Sequence, residues 1–266
     1  MRTPNRMVGR GGRKDHAIIL SLSATNDRRN ARIVRRAMSL VSKMFRSLIR
    51  RMRMKIVKPL GRNLPDGLLR VSLCDRNPDV AQALASHFQN IDGVEVLEGD
   101  LLDLDCDAVV SPANSFGYMD GGIDQHIDRF YDGEAQRALL TLIADRFYGE
   151  LPVGSATVLR MATRRFPYLV VSPTMRVPGD DLGGTIHAYL AMRAALAAIL
   201  DQNQEGTARI GSVAVPGLGT GVGGMEPDES ALQMRAAYEM IVGEGWRSIQ
   251  HPLQVPFVMR NKVRHR

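Results

Sequence analysis

The stretch Ser111–Asp124, SPANSFGYMDGGID, follows directly on the apolar run DAVV. An Asn, two adjacent glycines and two acids at the mouth of a buried strand, just ahead of helical sequence, mark the position where α/β proteins bind ligands. Working outward, strands and helices alternate on both sides. LLRVSLCD (68–75) reads as a strand, and Asn77-Pro78 supplies an N-cap and a first-turn proline for the helix PDVAQALASHFQN. VEVL (94–97) and DAVVS (107–111) are short apolar runs of strand length, with EGDLLDLDC between them. One helix is expected from the paired glycines to about Tyr148, then SATVLR and YLVVSP as paired strands, and a strong helix TIHAYLAMRAALAAIL (185–200). IGSVAVPG (210–217) reads as another buried strand, Pro227 opens the helix PDESALQMRAAYEMIV, and VPFVM (255–259) is expected as a final strand. This order predicts an α/β fold, a three-layer α/β/α sandwich with a central mixed sheet, in one domain over about residues 61–260. No internal repeat is visible.

Composition narrows the function classes. The 266 residues are 44 % apolar, enough for a sizeable core. Two cysteines, Cys74 and Cys106, are too few for a disulfide framework and form no CxxC pair, so both are expected as buried small hydrophobes in a reducing cytoplasm. No apolar run approaches the roughly 20 residues needed to span a bilayer. The net charge of +7 is an average of two unlike pieces: residues 1–56 carry 16 Lys and Arg against 2 acids, whereas residues 57–266 carry 19 against 26. Basicity thus belongs to an extension over residues 1–60 and to a short tail, 261–266, and the remainder is mildly acidic.

Within the extension, the first 27 residues mix Gly, Pro and Arg without sustained periodicity and are expected to lack stable structure. In RRNARIVRRAMSLVSKMFRSLIRRMRMKI, apolar residues recur at three- and four-residue steps and predict an amphipathic helix with a basic opposite face. Residues 28–55 then contact nucleic acid or an anionic membrane surface, or act as a cleaved targeting segment. The competing readings are a helix docked on the protein's own surface, an inert tail, or a reading frame begun too early, since Met52 and Met54 stand just before the folded part.

A second loop also links a buried strand to a helix. PGLGTGVGG (216–224) holds five glycines in nine residues, which leaves backbone N–H groups uncovered and suits a phosphate. Gly219, Gly221 and Gly224 satisfy the dinucleotide spacing GxGxxG, but only about 40 residues follow, too few for the rest of such a fold. No Lys follows the glycines, which excludes a Walker A loop. DQHID (124–128) has acids and a histidine, yet Asp124 and Asp128 share a helix face that His126 leaves, so a solvated helix start is expected and no metal. No Ser-His-Asp or Cys-His pattern appears, and no cofactor is expected.

Four elements together resemble the macrodomain family of ADP-ribose-binding α/β/α modules: Gly99-Asp100-Leu101, Ser111-Pro112-Ala113-Asn114, Gly121-Gly122-Ile123-Asp124 and Gly219-Thr220-Gly221-Val222-Gly223. Their order and spacing agree with the family across roughly residues 68–260. The resemblance implies that Asp100, with Leu101 beside it, accepts a hydrogen bond from the adenine amino group, and that Asn114 holds hydroxyls of the distal ribose. It implies a diphosphate clamp with Gly121, Gly122 and Ile123 on one side and Gly219, Thr220, Gly221, Val222 and Gly223 on the other. Such a clamp neutralises an anion without Lys or Arg. As bland alternatives, Asp100 is an exposed turn residue and Asn114 a turn former. Asp124 is either a base that activates water or the N-cap of its helix. Ser111 replaces the family's first Asn, Gln125 replaces a Gly, and the aromatic residue that many members place after the second loop is missing. Phe116 or Tyr118 is expected to supply that surface.

The function expected is binding of ADP-ribose or ADP-ribosylated protein, with hydrolysis of ADP-ribosyl or O-acyl-ADP-ribose linkages through Asn114 and Asp124. The alternatives are a non-catalytic reader of ADP-ribosylated partners and a binder of a related nucleotide such as NAD.

Overall fold

Five parallel strands form the middle of one sheet, with an antiparallel strand at each edge. The computed structural model describes residues 54–61, 67–205 and 209–258, together with helical positions 32, 33, 35, 36, 38–40 and 42. The chain divides into two units, Met1–Ile49 and Arg50–Arg266. In the first, the described positions between Arg32 and Ser42 are helical and exposed, within the predicted amphipathic helix. The first 27 residues and the tail 261–266 lie outside the described residues.

The second unit contains strands β1 (Lys55–Lys58), β2 (Arg70–Asp75), β3 (Val94–Glu98), β4 (Ala108–Ser111), β5 (Thr157–Arg160), β6 (Tyr168–Val171) and β7 (Ser212–Val215). Its helices are α1 (Pro78–His87), α2 (Gly122–Phe130), α3 (Glu134–Phe147), α4 (His187–Glu205) and α5 (Pro227–Ile241). The sheet order is β1-β3-β2-β7-β4-β6-β5, with β1 and β5 antiparallel to their neighbours. Leu73 lies opposite Val215 and Val109 opposite Ala214, so adjacent strands present matched faces.

Strand alternation divides the core between two layers. Val71, Leu73, Val94, Val96, Val110, Val213 and Val215 join a cluster with residues of α1, α4 and α5. Cys74, Leu97, Val109, Val171 and Ala214 face the other way and pack with residues of α2 and α3, such as Ile127, Leu139 and Ile143. The result is the three-layer sandwich around a mixed sheet that the order of elements predicts. Both thiols are buried, and burial pushes each pKa up to about 12, consistent with small hydrophobes rather than reactive groups.

Three local expectations need correction. The sheet begins at Lys55, upstream of residue 61, because KIVK pairs with β3 although it sits in a basic run patterned like a helix. The Lys58 ammonium crosses to the carbonyl oxygens of Ile91 (2.7 Å) and Val94, which ties the strand down, and desolvation lowers its pKa. The expected single helix up to Tyr148 is broken into α2 and α3, since Asp132 and Gly133 both adopt left-handed backbone and the Gly133 N–H donates to Asp128 O. VPFVM forms no strand over its described residues. A 3-10 turn at Pro252–Gln254 precedes it, with Leu253 N–H donating to His251 Nδ1 and the Gln254 side chain accepting from His251 N–H. Pro252 and Pro256 also lack the N–H that a ladder requires.

Candidate functional site

A cavity of about 340 Å³ opens where β2, β4, β6 and β7 end, on the carboxyl side of the parallel strands. Strand order reverses there: β3 lies on one side of β2, and the next strand, β4, lies beyond β7 on the other. The cavity is lined by all twelve residues singled out in sequence: Asp100, Leu101, Asn114, Gly121, Gly122, Ile123, Asp124, Gly219, Thr220, Gly221, Val222 and Gly223.

The two glycine loops face this space with unused donors. Gly121 is the N-cap of α2 and its φ of −142° is ordinary, but Gly122 follows at +54°, a conformation that favours glycine. Among the described residues, the N–H groups of Gly121, Gly122 and Ile123 donate to no protein acceptor, as expected at a helix start. The same is true of Gly221, Val222 and Gly223 in the second loop. That loop is held from below rather than floppy. The Gly217 N–H donates to Asp75 Oδ2 at 3.2 Å, Ser230 Oγ donates to Leu218 O at 2.7 Å, and Leu182 N–H donates to Gly223 O at 2.9 Å. A Cβ on Gly223 would come within 2.5 Å of Leu182 Cδ1, so glycine there permits the close approach.

Asp124 does not cap its helix. No side chain caps α2, and the Asp124 carboxylate, in the first turn, turns instead to the strand below, where Ser111 Oγ donates to Oδ1 at 2.6 Å. Ser111 is fully buried. Burial raises the Asp124 pKa to about 6, while hydrogen bonds from Ser111 and the Ala113 backbone pull it down. A carboxylate of this kind, lining a cavity and ionised at neutral pH, is matched to general-base work.

Asn114 is 6 % exposed, and its amide closes the first loop on itself. Nδ2 donates to Tyr118 O at 2.7 Å, and Oδ1 accepts from the N–H groups of Phe116 (3.1 Å) and Tyr118 (3.4 Å). The turn-forming geometry is therefore present, and one Nδ2 hydrogen remains for a ligand. Asn114→Ala removes three partly buried hydrogen bonds and is expected to destabilise the protein by about 1–3 kcal/mol, measured by urea denaturation.

Other expectations divide. Tyr118 lines the cavity and is 54 % exposed, whereas Phe116 is not among the lining residues and lies under the Arg176 guanidinium, 5.4 Å from the ring centroid. The DQHID residues point apart: Asp124 to Ser111, His126 Nδ1 donating to Gly122 O at 2.8 Å, and Asp128 Oδ1 accepting from Gln136 N–H at 2.9 Å. Among the described residues, no group of three or more His, Cys, Asp or Glu is placed to hold a metal ion. No described helix is long and apolar enough to cross a membrane.

Two walls of the cavity lie outside the motifs of the sequence. Asp75, Arg76 and Asn77 end β2, and Thr174, Met175 and Pro178 follow β6; all six line the cavity. The rule that ligands gather at the carboxyl ends of parallel strands would have found both, given the sheet order. Arg76 brings a guanidinium into the cavity lining from outside the two glycine loops, which themselves carry no Lys or Arg, and it is engaged with Asp100 at 2.6 Å.

Comparison with known proteins points to the family that the motifs resemble. The family described as Macro domain matches residues 110–234. An uncharacterized protein of Aquifex aeolicus (strain VF5) is 31 % identical over 141 residues, covering 53 % of this chain and 78 % of the relative. One of Aeropyrum pernix is 31 % identical over 153 residues, covering 57 % and 73 %. Among solved structures, the macrodomain of Mycobacterium tuberculosis DarG matches with 25 % identity and a TM-score of 0.45, over 54 % of this chain and 88 % of that one. With four motifs in order around one cavity and relatives matched over most of their length, the chain belongs to the macrodomain family.

Proposed function

We propose that the cavity binds ADP-ribose, free or attached to a protein, and that the protein hydrolyses ADP-ribosyl or O-acyl-ADP-ribose linkages. The observation that carries this reading is the pair of glycine loops facing one cavity with unpaired backbone donors, Gly121 to Ile123 on one side and Gly221 to Gly223 on the other. Opposed sets of N–H groups suit a diphosphate, and the start of α2 adds the positive end of its dipole. Asp100 and Leu101 receive the adenine, and Asn114 offers its remaining N–H to the distal ribose.

Catalysis rests on position. With the diphosphate fixed, Asp124 takes a proton from water as the oxygen attacks the anomeric carbon of an ADP-ribosyl bond or the acyl carbon of an ester; the bond from that carbon to the protein side chain or to the ribose oxygen breaks, and the departing group takes up the proton. A burial-raised pKa keeps the base responsive near neutral pH. The reader alternative is favoured by the committed amide of Asn114 and by the Ser111 bond that occupies one Asp124 oxygen.

Calorimetry of the full chain with ADP-ribose, NAD and AMP tests the core reading, and absence of heat with ADP-ribose refutes it. Incubation with ADP-ribosylated protein and with O-acyl-ADP-ribose separates enzyme from reader. In the same assay Tyr118→Ala is expected to weaken ADP-ribose binding about tenfold through lost contact with the distal ribose, while Phe116→Ala leaves affinity unchanged. Equal effects from both, or none from either, contradict the assignment of Tyr118. For residues 28–55, we propose contact with nucleic acid or an anionic surface; binding of the full chain to DNA then falls steeply with added salt.

A further inference from the structure

The cavity holds one cationic side chain that the proposed function leaves unused. Arg76 stands between the last residue of β2 and Asn77, the N-cap of α1. Its Nη2 donates to Asp100 Oδ2 at 2.6 Å, and both residues line the cavity. The other carboxylate oxygen of Asp100 accepts from Leu102 N–H at 3.0 Å. The arginine side chain is 60 % exposed and that of Asp100 33 %, so the pair sits at the cavity edge rather than sealed in the core.

This arrangement changes what the base end of the site offers. A lone carboxylate presents acceptors only: it takes a hydrogen bond from the 6-amino group of adenine and repels the 6-oxo group of hypoxanthine or guanine. A guanidinium beside it adds a planar fork of five N–H groups, and the bond to Asp100 uses one. Each carboxylate oxygen carries two lone pairs, so Asp100 keeps acceptor capacity after meeting Arg76 and Leu102. Donor and acceptor then lie side by side, the pattern that matches the edge of a purine. With a 6-aminopurine, Asp100 accepts from the amine and Arg76 donates to a ring nitrogen. With a 6-oxopurine the base slides one position along the same pair, so that Arg76 donates to the oxo group and Asp100 accepts from N1–H.

Building on the ADP-ribose reading, we propose that Arg76 and Asp100 read the base as one unit, and that Arg76 is a specificity-determining residue that admits 6-oxopurine as well as 6-aminopurine nucleotides. The test is calorimetry of the full chain and its Arg76→Ala and Arg76→Lys variants, with ADP-ribose and its inosine counterpart as probes. The wild type is expected to bind the two within about tenfold of each other. Arg76→Ala is expected to lose about tenfold for ADP-ribose and about 100-fold for the inosine nucleotide, a widening set by one lost donor facing the oxo group. Arg76→Lys, which keeps charge without the fork, falls between. Unaltered melting temperatures in both variants accompany the expected result, because the side chain is exposed. Binding of both nucleotides with the same ratio in wild type and Arg76→Ala overturns this inference alone. A gain in ADP-ribose affinity in Arg76→Ala also overturns it, since Arg76 would then compete with the base. No heat from either nucleotide in the wild type overturns the ADP-ribose reading and this inference with it.

Discussion

Asp124→Asn is expected to lower turnover of an ADP-ribosylated substrate by about 10²–10⁴-fold, the usual contribution of a positioned base, while changing ADP-ribose affinity only a few-fold. Asparagine fills the same volume and keeps an oxygen toward the Ala113 backbone, so the diphosphate loops stay in place. The wild-type rate should rise with pH through about 6 and level off above it, because only the ionised carboxylate accepts a proton and its pKa is raised to about 6 by burial. Stability moves the opposite way. A carboxyl whose folded pKa lies above its unfolded value of 3.8 binds more protons in the folded state between those pH values. The protein therefore loses stability as pH rises from about 4 to about 6, and the loss persists at neutral pH. Asp124→Asn removes this dependence and is expected to stabilise the protein by about 1–3 kcal/mol at pH 7, from 1.36 kcal/mol per pKa unit. Urea denaturation of both proteins at pH 4, 6 and 8 checks the sign. Turnover unchanged in the variant leaves the reader function standing, and unchanged pH dependence of stability removes the buried-carboxylate account.

A carboxylate placed among the opposed backbone donors should abolish binding without unfolding the protein. Gly221 has ordinary φ, and a Cβ built there meets nothing within 4 Å. Gly221→Glu is thus accommodated by the fold, and its charge repels a diphosphate from the loop. The expected loss of ADP-ribose affinity is at least about 100-fold, in line with the several kcal/mol of a like-charge juxtaposition. Gly221→Gln, of the same size without the charge, should lose much less. Similar losses for both would mean that the side chain blocks by bulk, and full affinity in Gly221→Glu would place the diphosphate elsewhere. Gly122 makes a poorer probe, because its φ of +54° strains any other residue.

Arg76, Asp100 and Asp124 show how a site assembled from chemically simple parts acquires distinct ends. Asp100 is paired with a cation at the cavity edge, and Asp124 is paired only with a hydroxyl and a backbone N–H. The first carboxylate is thereby suited to recognition and the second to proton transfer, although both are aspartates that follow parallel strands.

The amino-acid sequence by itself determined the order of the strands from Arg70 to Val215, the helices at Pro78, His187 and Pro227, and the two glycine loops, because these depend on local patterns: apolar runs of strand length, a proline after an Asn cap, and glycines at strand ends. It also carried the twelve cavity residues, since each lies in a short motif next to a strand. The tertiary structure decided what depends on partners distant in the chain. Lys55–Lys58 becomes a strand only because β3 offers an edge, against a basic pattern that suggests helix. Arg76 enters the site only because Asp100, 24 residues later, lies beside it. Asp124 is a half-buried, proton-sensitive carboxyl rather than a helix cap because Ser111 ends the strand directly beneath it, a pairing that turns on side-chain direction across two elements and that no linear spacing specifies.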